Sequence, residues 1–282
     1  MRRSYTSILA LALCASLFGM HGAARAADLG GSYKDGPAPA DDSGISGIKV
    51  GAVLVIKPTF EGSNSYDALG FPYILPTFSG GNGDSFFSRI DVRDIDDIRF
   101  RLIDRDGFIA GPLVGYNLGR DEDDDDHLEG LGDVDGGIVA GGFVGYRIGS
   151  VLFDAAFQNT FSDDGGYLIR FGAEIERPLR ERLTFTGRIG ATYADEEYMQ
   201  NYFGVSAAQS AASGFTQFDA DAGFKDVFAE VGLKAKLDER WEAKASVRYS
   251  RLIGDAADSP IVESENQFTT TLGVSYKFDM DR

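Results

Sequence analysis

Residues 241–250, WEAKASVRYS, decide the fold, because apolar and polar side chains alternate along them without a break. Odd positions carry Trp, Ala, Ala, Val and Tyr, and even positions carry Glu, Lys, Ser, Arg and Ser. Successive side chains of a β-strand point to opposite faces, so this stretch predicts a strand with one apolar and one polar face. The same alternation recurs in Val227–Leu237, Leu183–Tyr193 and Tyr167–Ile175.

The predicted strands are long, roughly 10–13 residues, which exceeds the usual length in soluble sheets and matches a tilted crossing of a bilayer. We therefore predict an all-β fold: a transmembrane antiparallel β-barrel of about 12 strands, with short periplasmic turns and long external loops. The strands are expected near 48–60, 72–80, 85–93, 98–104, 107–118, 136–148, 150–162, 166–177, 182–194, 224–237, 241–252 and 266–278.

Connection lengths support the barrel. Tight turns at 147–150, 178–181 and 238–240 alternate with the longer connections 119–135 and 195–223, followed by 253–265. A sheet in hydrocarbon must close to satisfy its backbone, with apolar residues outside and polar residues inside. The inward charges have both signs, so the sequence fits either a self-paired, plugged lumen or a channel. They are Arg170, Glu174, Arg188, Glu230, Lys234, Lys236, Glu242, Lys244 and Arg248.

Composition and the N-terminal segment indicate an exported protein. The chain of 282 residues has 27 Lys and Arg against 44 Asp and Glu, a formal net charge of −17 that argues against nucleic-acid binding. Residues 1–26 read as a signal peptide, and they include the single cysteine, Cys14. We expect a flexible periplasmic leader at 27–47, the barrel at 48–278 and a C-terminal tail at 279–282.

The sequence predicts no catalytic, cofactor-binding or metal-binding residue. His127 is the one histidine beyond the signal peptide, and it follows the acidic run 121–126. A solvated loop histidine is the favoured interpretation over an active site. The run itself is interpreted as a hydrated external loop in preference to a Ca²⁺ or Mg²⁺ site, because it lacks the spacing of a calcium loop.

Two long loops contain more apolar and aromatic residues than a solvated loop needs. Packing on the barrel rim and recognition of a partner are weighed equally. The candidate recognition residues are Tyr198, Met199, Tyr202, Phe203, Asp255, Asp258, Ser259 and Pro260.

Five stretches together resemble the MipA/OmpV family, the MltA-interacting group of outer-membrane proteins. They are PTFEGSNSYDALGFPYILP, GPLVGYNLGRDEDDDDHLEGLGDV, DEEYMQNYFGVSAAQSAASGF, GFKDVFAEVGL and RLIGDAADSPIVESENQFTTTLGVSYKF. The resemblance implies a non-enzymatic scaffold in the Gram-negative outer membrane, in contact with outer-membrane lipid. It also implies a lytic transglycosylase and a penicillin-binding protein as partners, with no cofactor. The alternative is a channel, an adhesin or another surface-binding protein.

Overall fold

A computed structural model describes residues 45–78 and 89–279. The predicted signal peptide, most of the leader, and residues 280–282 of the tail lie outside this part of the chain. The elements are β1 (Ile45–Pro58), β2 (Tyr66–Phe78), β3 (Ile90–Asp94), β4 (Asp97–Phe100), β5 (Ile103–Arg105), β6 (Phe108–Asn117), β7 (Gly137–Ile148), β8 (Val151–Phe161), β9 (Gly166–Arg180), β10 (Leu183–Ala194), α1 (Glu196–Phe203), α2 (Ala207–Ser213), β11 (Gly223–Lys236), β12 (Trp241–Leu252), α3 (Asp255–Asp258) and β13 (Asn266–Asp279). None of the described helices is long and apolar enough to cross a membrane.

The strands form one curled antiparallel sheet in the order β2-β1-β13-β12-β11-β10-β9-β8-β7-β6-β4-β3. β4 and β5 both pair with the same edge of β6, so they occupy one interrupted strand position. The sheet therefore has 12 strand positions, which confirms the predicted barrel class. β1 pairs with β13, so the first and last strands are neighbours, as closure of a barrel requires.

The outer surface of the sheet is apolar. Ile74, Val144 and Val231 are among the large apolar side chains exposed on it. Aromatic pairs lie near both ends of the wall: Trp241 contacts Tyr276 at a centroid distance of 5.0 Å, and Tyr249 contacts Phe268 at 5.3 Å. An exposed apolar band with aromatic belts is what lipid contact requires, as the alternation predicts.

The sequence placed the second strand at 72–80, but it begins at Tyr66. Leu69, Phe71 and Tyr73 alternate with outward-facing residues, so they face the lumen although they are apolar. This strand therefore lacks the alternation of polar and apolar residues on which the prediction relied. Gly51 of the neighbouring strand makes room for one of them, because a Cβ there would collide with the ring of Tyr73.

The predicted strands at 85–93 and 98–104 are the shortest and least regular part of the wall. The described portion of the first is Ile90–Asp94, and the second is split into β4 and β5. The split occurs where the register with β6 shifts, from Ile98 opposite Val114 to Ile103 opposite Ala110. Part of 79–88 belongs to these predicted strands and lies outside the described residues.

Candidate functional site

The two ends of the barrel differ. At one end the connections that lie wholly within the described residues are tight turns of two to four residues, such as Asp106-Gly107 and Gly149-Ser150. At the other end four long connections, 59–65, 118–136, 195–222 and 253–265, pack together, and we call them the external cap. Two connections on that side, 95–96 and 162–165, are short, so the expected long external loops hold for four of six.

The cap contains helices that the sequence analysis missed. Asp195 begins α1, because its side chain accepts a hydrogen bond from the Tyr198 amide. Ser206 begins α2, and Gln209 completes a capping box with it. Both helix starts have sequence signals, an Asp before two glutamates and a Ser-x-x-Gln spacing, that could have predicted them.

The interior of the cap is largely apolar. α1 buries Tyr198, Met199, Tyr202 and Phe203, and Phe203 has no exposed surface. These four residues form one apolar cluster at the barrel mouth with residues of neighbouring strand ends and cap connections. The other members of the cluster are Val134, Leu168, Ala194, Ala220, Leu252 and Ala256. A second cluster joins Phe60, Leu128, Leu131, Val205 and Ile261 from all four cap connections. Loops from strands around the barrel therefore meet over the mouth.

Hydrogen bonds join the cap connections across the mouth. The Tyr198 hydroxyl donates to Glu61 Oε1 at 2.9 Å, and Lys225 Nζ lies 2.8 Å from Glu61 Oε2. The Ser259 hydroxyl donates to the Phe203 carbonyl at 2.6 Å. These bonds tie 59–65 and 253–265 to α1.

Ionisation in the cap is shifted by burial. Burial, followed by the negative charge of Glu61, raises the pKa of Tyr198 well above its ordinary value and that of Tyr202 to about 12. Arg120 is also buried, and its Nη1 donates to the Tyr202 carbonyl at 3.0 Å near the C-terminus of α1. Burial lowers the pKa of Arg120 from its ordinary value. The guanidinium remains charged and complements the negative end of the helix dipole.

The acidic run folds on itself as two 3₁₀ turns, Glu122–Asp124 and Asp126–Leu128. Asp125 accepts hydrogen bonds from the Thr59 hydroxyl at 2.9 Å and the His127 amide at 3.1 Å. Burial alone would raise the pKa of Asp125, but these hydrogen bonds outweigh it and hold the pKa below its ordinary value. The acidic run is therefore a hydrated surface that also holds two cap connections together through Asp125.

His127 is not a freely solvated residue. Its ring is stacked 6.0 Å from Phe60 and lies edge-on to Phe215 at 5.0 Å. Nε2 is 2.9 Å from the Ile261 carbonyl oxygen, and Nδ1 is 3.9 Å from Glu263. The side chain is 28% exposed, so this loop histidine is partly solvated and partly packed against two rings. Within the described residues, no group of three or more His, Cys, Asp or Glu side chains could hold a metal ion.

Below the cap, an ion network crosses the lumen. Its members are Arg93, Asp96, Asp97, Arg99, Asp154, Arg170, Glu174 and Arg188. Asp154, fully buried on β8, is its centre: its carboxylate lies 2.7 Å from Arg99, 3.0 Å from Arg188 and 3.4 Å from Arg93. Arg170, Glu174 and Arg188 are therefore paired inside the lumen, as in the self-paired arrangement that the sequence left open.

The turn between β3 and β4 reaches into this network. Arg170 binds both carboxylate oxygens of Asp96, at 2.9 and 2.6 Å, and Gln158 Nε2 donates to the Asp96 carbonyl at 2.7 Å. The Asp96 backbone lies against β6 at Gly115, where a Cβ would collide with it. The β3–β4 turn thus lies on the lumen side of β6 and narrows the passage.

The eight candidate recognition residues fall into two groups in the structure. The four on α1 are buried, and Ser259 is buried with them, whereas Asp255, Asp258 and Pro260 keep surface on the cap. Asp255 accepts a hydrogen bond from the Asp221 amide at 2.8 Å. The packing interpretation accounts for the buried group. Recognition by these loops stays a prediction.

Fold and site together define a class: an outer-membrane β-barrel whose lumen is crossed by ion pairs and whose external mouth is covered by a packed cap. The family model described as MltA-interacting protein MipA matches residues 50–278. The chain belongs to the MltA-interacting protein MipA family. This confirms the resemblance to the family, and the protein is an outer-membrane protein.

Relatives are similar at low identity. The outer membrane protein YiaT of Escherichia coli K12 is 31% identical over 97 residues, covering 34% of this chain and 39% of the relative. The MltA-interacting protein of the same strain is 29% identical, over 34% of this chain and 38% of its own. OmpV of Vibrio cholerae is 24% identical over 66% and 72% of the two chains. The chain thus spans about two-fifths of the length of the E. coli relatives.

Among solved structures, the translocator domain of the autotransporter NalP from Neisseria meningitidis is 12% identical, with a TM-score of 0.36. The match covers 84% of this chain and 89% of that one.

Proposed function

We propose that the protein is a non-enzymatic outer-membrane scaffold that holds murein-processing enzymes at its periplasmic face. The partners proposed are a lytic transglycosylase and a penicillin-binding protein. One observation carries this choice: the cap and the ion network both obstruct the lumen, so the barrel is better suited to anchoring than to transport. His127, held between two phenylalanine rings, supports a role without catalysis.

The channel alternative has a direct test. Purified protein inserted in a planar bilayer should give no steady single-channel steps, because four charged pairs on Asp154 and Asp96 lie across the lumen. A porin inserted under the same conditions is the positive control. Steady steps from the unmodified protein would favour the channel over the scaffold.

The partners are proposed from the family, since one relative is named for its interaction with MltA. The surface available for them is the periplasmic end, where exposed charges flank the turns at Glu181-Arg182 and 237–240. The immobilised full chain should retain a lytic transglycosylase and a penicillin-binding protein from a detergent extract of the envelope. Retention of neither, with a different outer-membrane barrel as the control, would contradict the scaffold role.

A surface-binding role is the second candidate, and the charge of the cap favours it. Arg120 is the one Lys or Arg in the four cap connections, and it is buried. The outer face is therefore strongly acidic and would attract a cationic partner. Cells that carry the protein should retain more polylysine than cells that lack it. Equal retention would count against this role.

A further inference from the structure

Five lysines face the lumen on four consecutive strands near its periplasmic end, and one of them, Lys236, lies opposite Glu242. We call Lys49 on β1, Lys277 on β13, Lys244 on β12 and Lys234 on β11 the lysine cluster. Their positions alternate with outward residues such as Val50, Phe278 and Leu233, which are exposed on the lipid side. Alternation therefore places all four lysines on the inner face.

The register sets these lysines directly against one another. Lys49 lies opposite Lys277, and Lys234 lies opposite Lys244. Like charges directly opposite each other destabilise a sheet, and here two such pairs lie on neighbouring strands. Because these two lysine pairs destabilise the sheet, their presence indicates a role other than stabilising the barrel.

Acidic neighbours neutralise the lysine cluster only in part. Lys49 lies 3.0 Å from Glu242, Lys234 lies 3.2 Å from Glu176, and Lys277 lies 2.8 Å from Asp279. Lys244 has no ion pair within 4.0 Å among the residues that the structure describes, and its side chain is exposed to the lumen. An ammonium group is therefore available to a ligand.

Access to the lysine cluster comes from the periplasm. The turns next to it, 237–240 between β11 and β12 and the end of β13 at Asp279, lie at the periplasmic end. The ion network and the cap lie between the lysine cluster and the external end of the barrel. Because the side chain of Lys244 is exposed and the ion network lies between it and the cap, a ligand would approach it from the periplasmic end.

We propose that the lysine cluster binds an acidic peptide segment of a periplasmic protein partner. Adjacent strands are about 4.8 Å apart, and Lys244 lies opposite Gly273, four residues from Lys277, so the four lysine positions spread over roughly 20 Å. That spread matches carboxylates distributed along an extended peptide, and it exceeds what a single phosphate group can span. The inference rests on the proposed scaffold function and adds to it the chemistry by which a partner is held.

Binding of a defined probe tests this inference. The probe is a fluorescein-labelled peptide of alternating Glu and Ser, and the same peptide with Gln for Glu is its control. With the full chain in detergent micelles, the acidic peptide should bind and the Gln peptide should not. Lys244→Gln combined with Lys234→Gln should weaken binding about tenfold, because two of the charges that contact it are lost. Arg251→Gln, which removes an exposed charge near the external end, should leave the affinity unchanged.

A second measurement separates binding from a structural role. Lys244→Gln removes one half of a like-charge pair, so this variant should unfold at the same or a higher temperature while it binds the peptide more weakly. A lysine that merely supports the wall would give a lower unfolding temperature. Unchanged peptide affinity in Lys244→Gln, or equal competition by inorganic phosphate at matched charge, would overturn the inference.

The peptide-binding experiment and the enzyme-capture experiment can fail independently of each other. If the double variant lost the acidic peptide but still captured murein enzymes, the cluster would be ruled out as their attachment site. If the acidic peptide bound as expected but no murein enzyme was retained by the unmodified chain, the scaffold role would fail and the peptide site would stand.

Discussion

The external cap and the ion network close the same lumen by opposite physical means. The cap buries apolar side chains such as Phe203, Leu128 and Ile261 completely, as the core of a soluble protein does. The network, at the depth of the membrane, is built from Asp154 and the arginines around it. Lipid covers the apolar outer face of the wall, while the charges on the inner face pair with each other beside an apolar cluster that includes Leu113 and Phe143. The comparison predicts that the two closures respond differently to mutation and pH.

The largest effect is expected from Phe203→Ala, which removes a fully buried ring from the cap. Loss of such a ring costs about 3–5 kcal/mol, through lost burial and the cavity left behind. The cap should then loosen, so that external protease cuts the segment 205–222 in intact cells while the barrel stays folded. Phe161→Ala is the matched control, since that ring is 63% exposed on the lipid side. Equal protease resistance in both variants would show that the cap does not depend on its apolar interior.

Asp154→Asn probes the other closure. The substitution keeps the shape of the side chain but removes the charge shared by Arg93, Arg99 and Arg188. Breaking a buried ion pair costs about 3 kcal/mol, since the partners stay buried without compensation. Urea unfolding in micelles, followed by the fluorescence of the single tryptophan, Trp241, measures the loss.

Glu176→Gln serves as the control for Asp154→Asn, because its pair with Lys234 is half exposed and is worth at most about 1 kcal/mol. Salt should also distinguish the buried ion pairs from the half-exposed one. High salt should weaken the half-exposed pair of Glu176 and Lys234 more than the buried pairs of Asp154, because ions screen exposed charges most. A cost as small for Asp154→Asn as for Glu176→Gln would mean that water in the lumen solvates the arginines.

The same contrast explains how much the sequence could predict. Alternation in 241–250 and its neighbours predicts the wall from β7 onward, because lipid and lumen impose opposite polarity on adjacent residues. It fails at β2, where Phe71 and Tyr73 face inward, and at β3 to β5, where the strands are short and interrupted. The ion network depends on which distant strands face each other. Asp96 and Arg170 are 74 residues apart, and no local pattern indicates that they meet.

Alkaline pH should act on the cap first. The pKa of Tyr202 is about 12 in the folded chain, above its ordinary value of 10.0, and that of Tyr198 is also raised. A raised folded pKa means that the stabilisation is complete below about pH 10 and is lost as pH rises from 10 to 12. Two pKa units correspond to roughly 2–3 kcal/mol. Tyrosinate absorbance should show a late-titrating group that disappears in Tyr202→Phe. A variant that titrated like the unmodified protein would contradict this assignment.

The smallest effect tests whether the cap depends on its helix starts as well as on its interior. Asp195 Oδ1 accepts from the amides of both Tyr198 and Tyr167, at 3.0 Å each, so it begins α1 and fastens it to β9. Asp195→Ala should lower the free energy of unfolding of the cap by about 1 kcal/mol and raise amide exchange at Tyr198 and Met199 about fivefold.

Ser206→Ala is the matched control, because α2 buries no residue and its loss should stay local. Protease should still fail to cut 205–222 in Asp195→Ala, since the apolar interior remains. If Asp195→Ala opened the cap as fully as Phe203→Ala, the cap would be held by its helix start and the contrast with the charged lumen would be weaker.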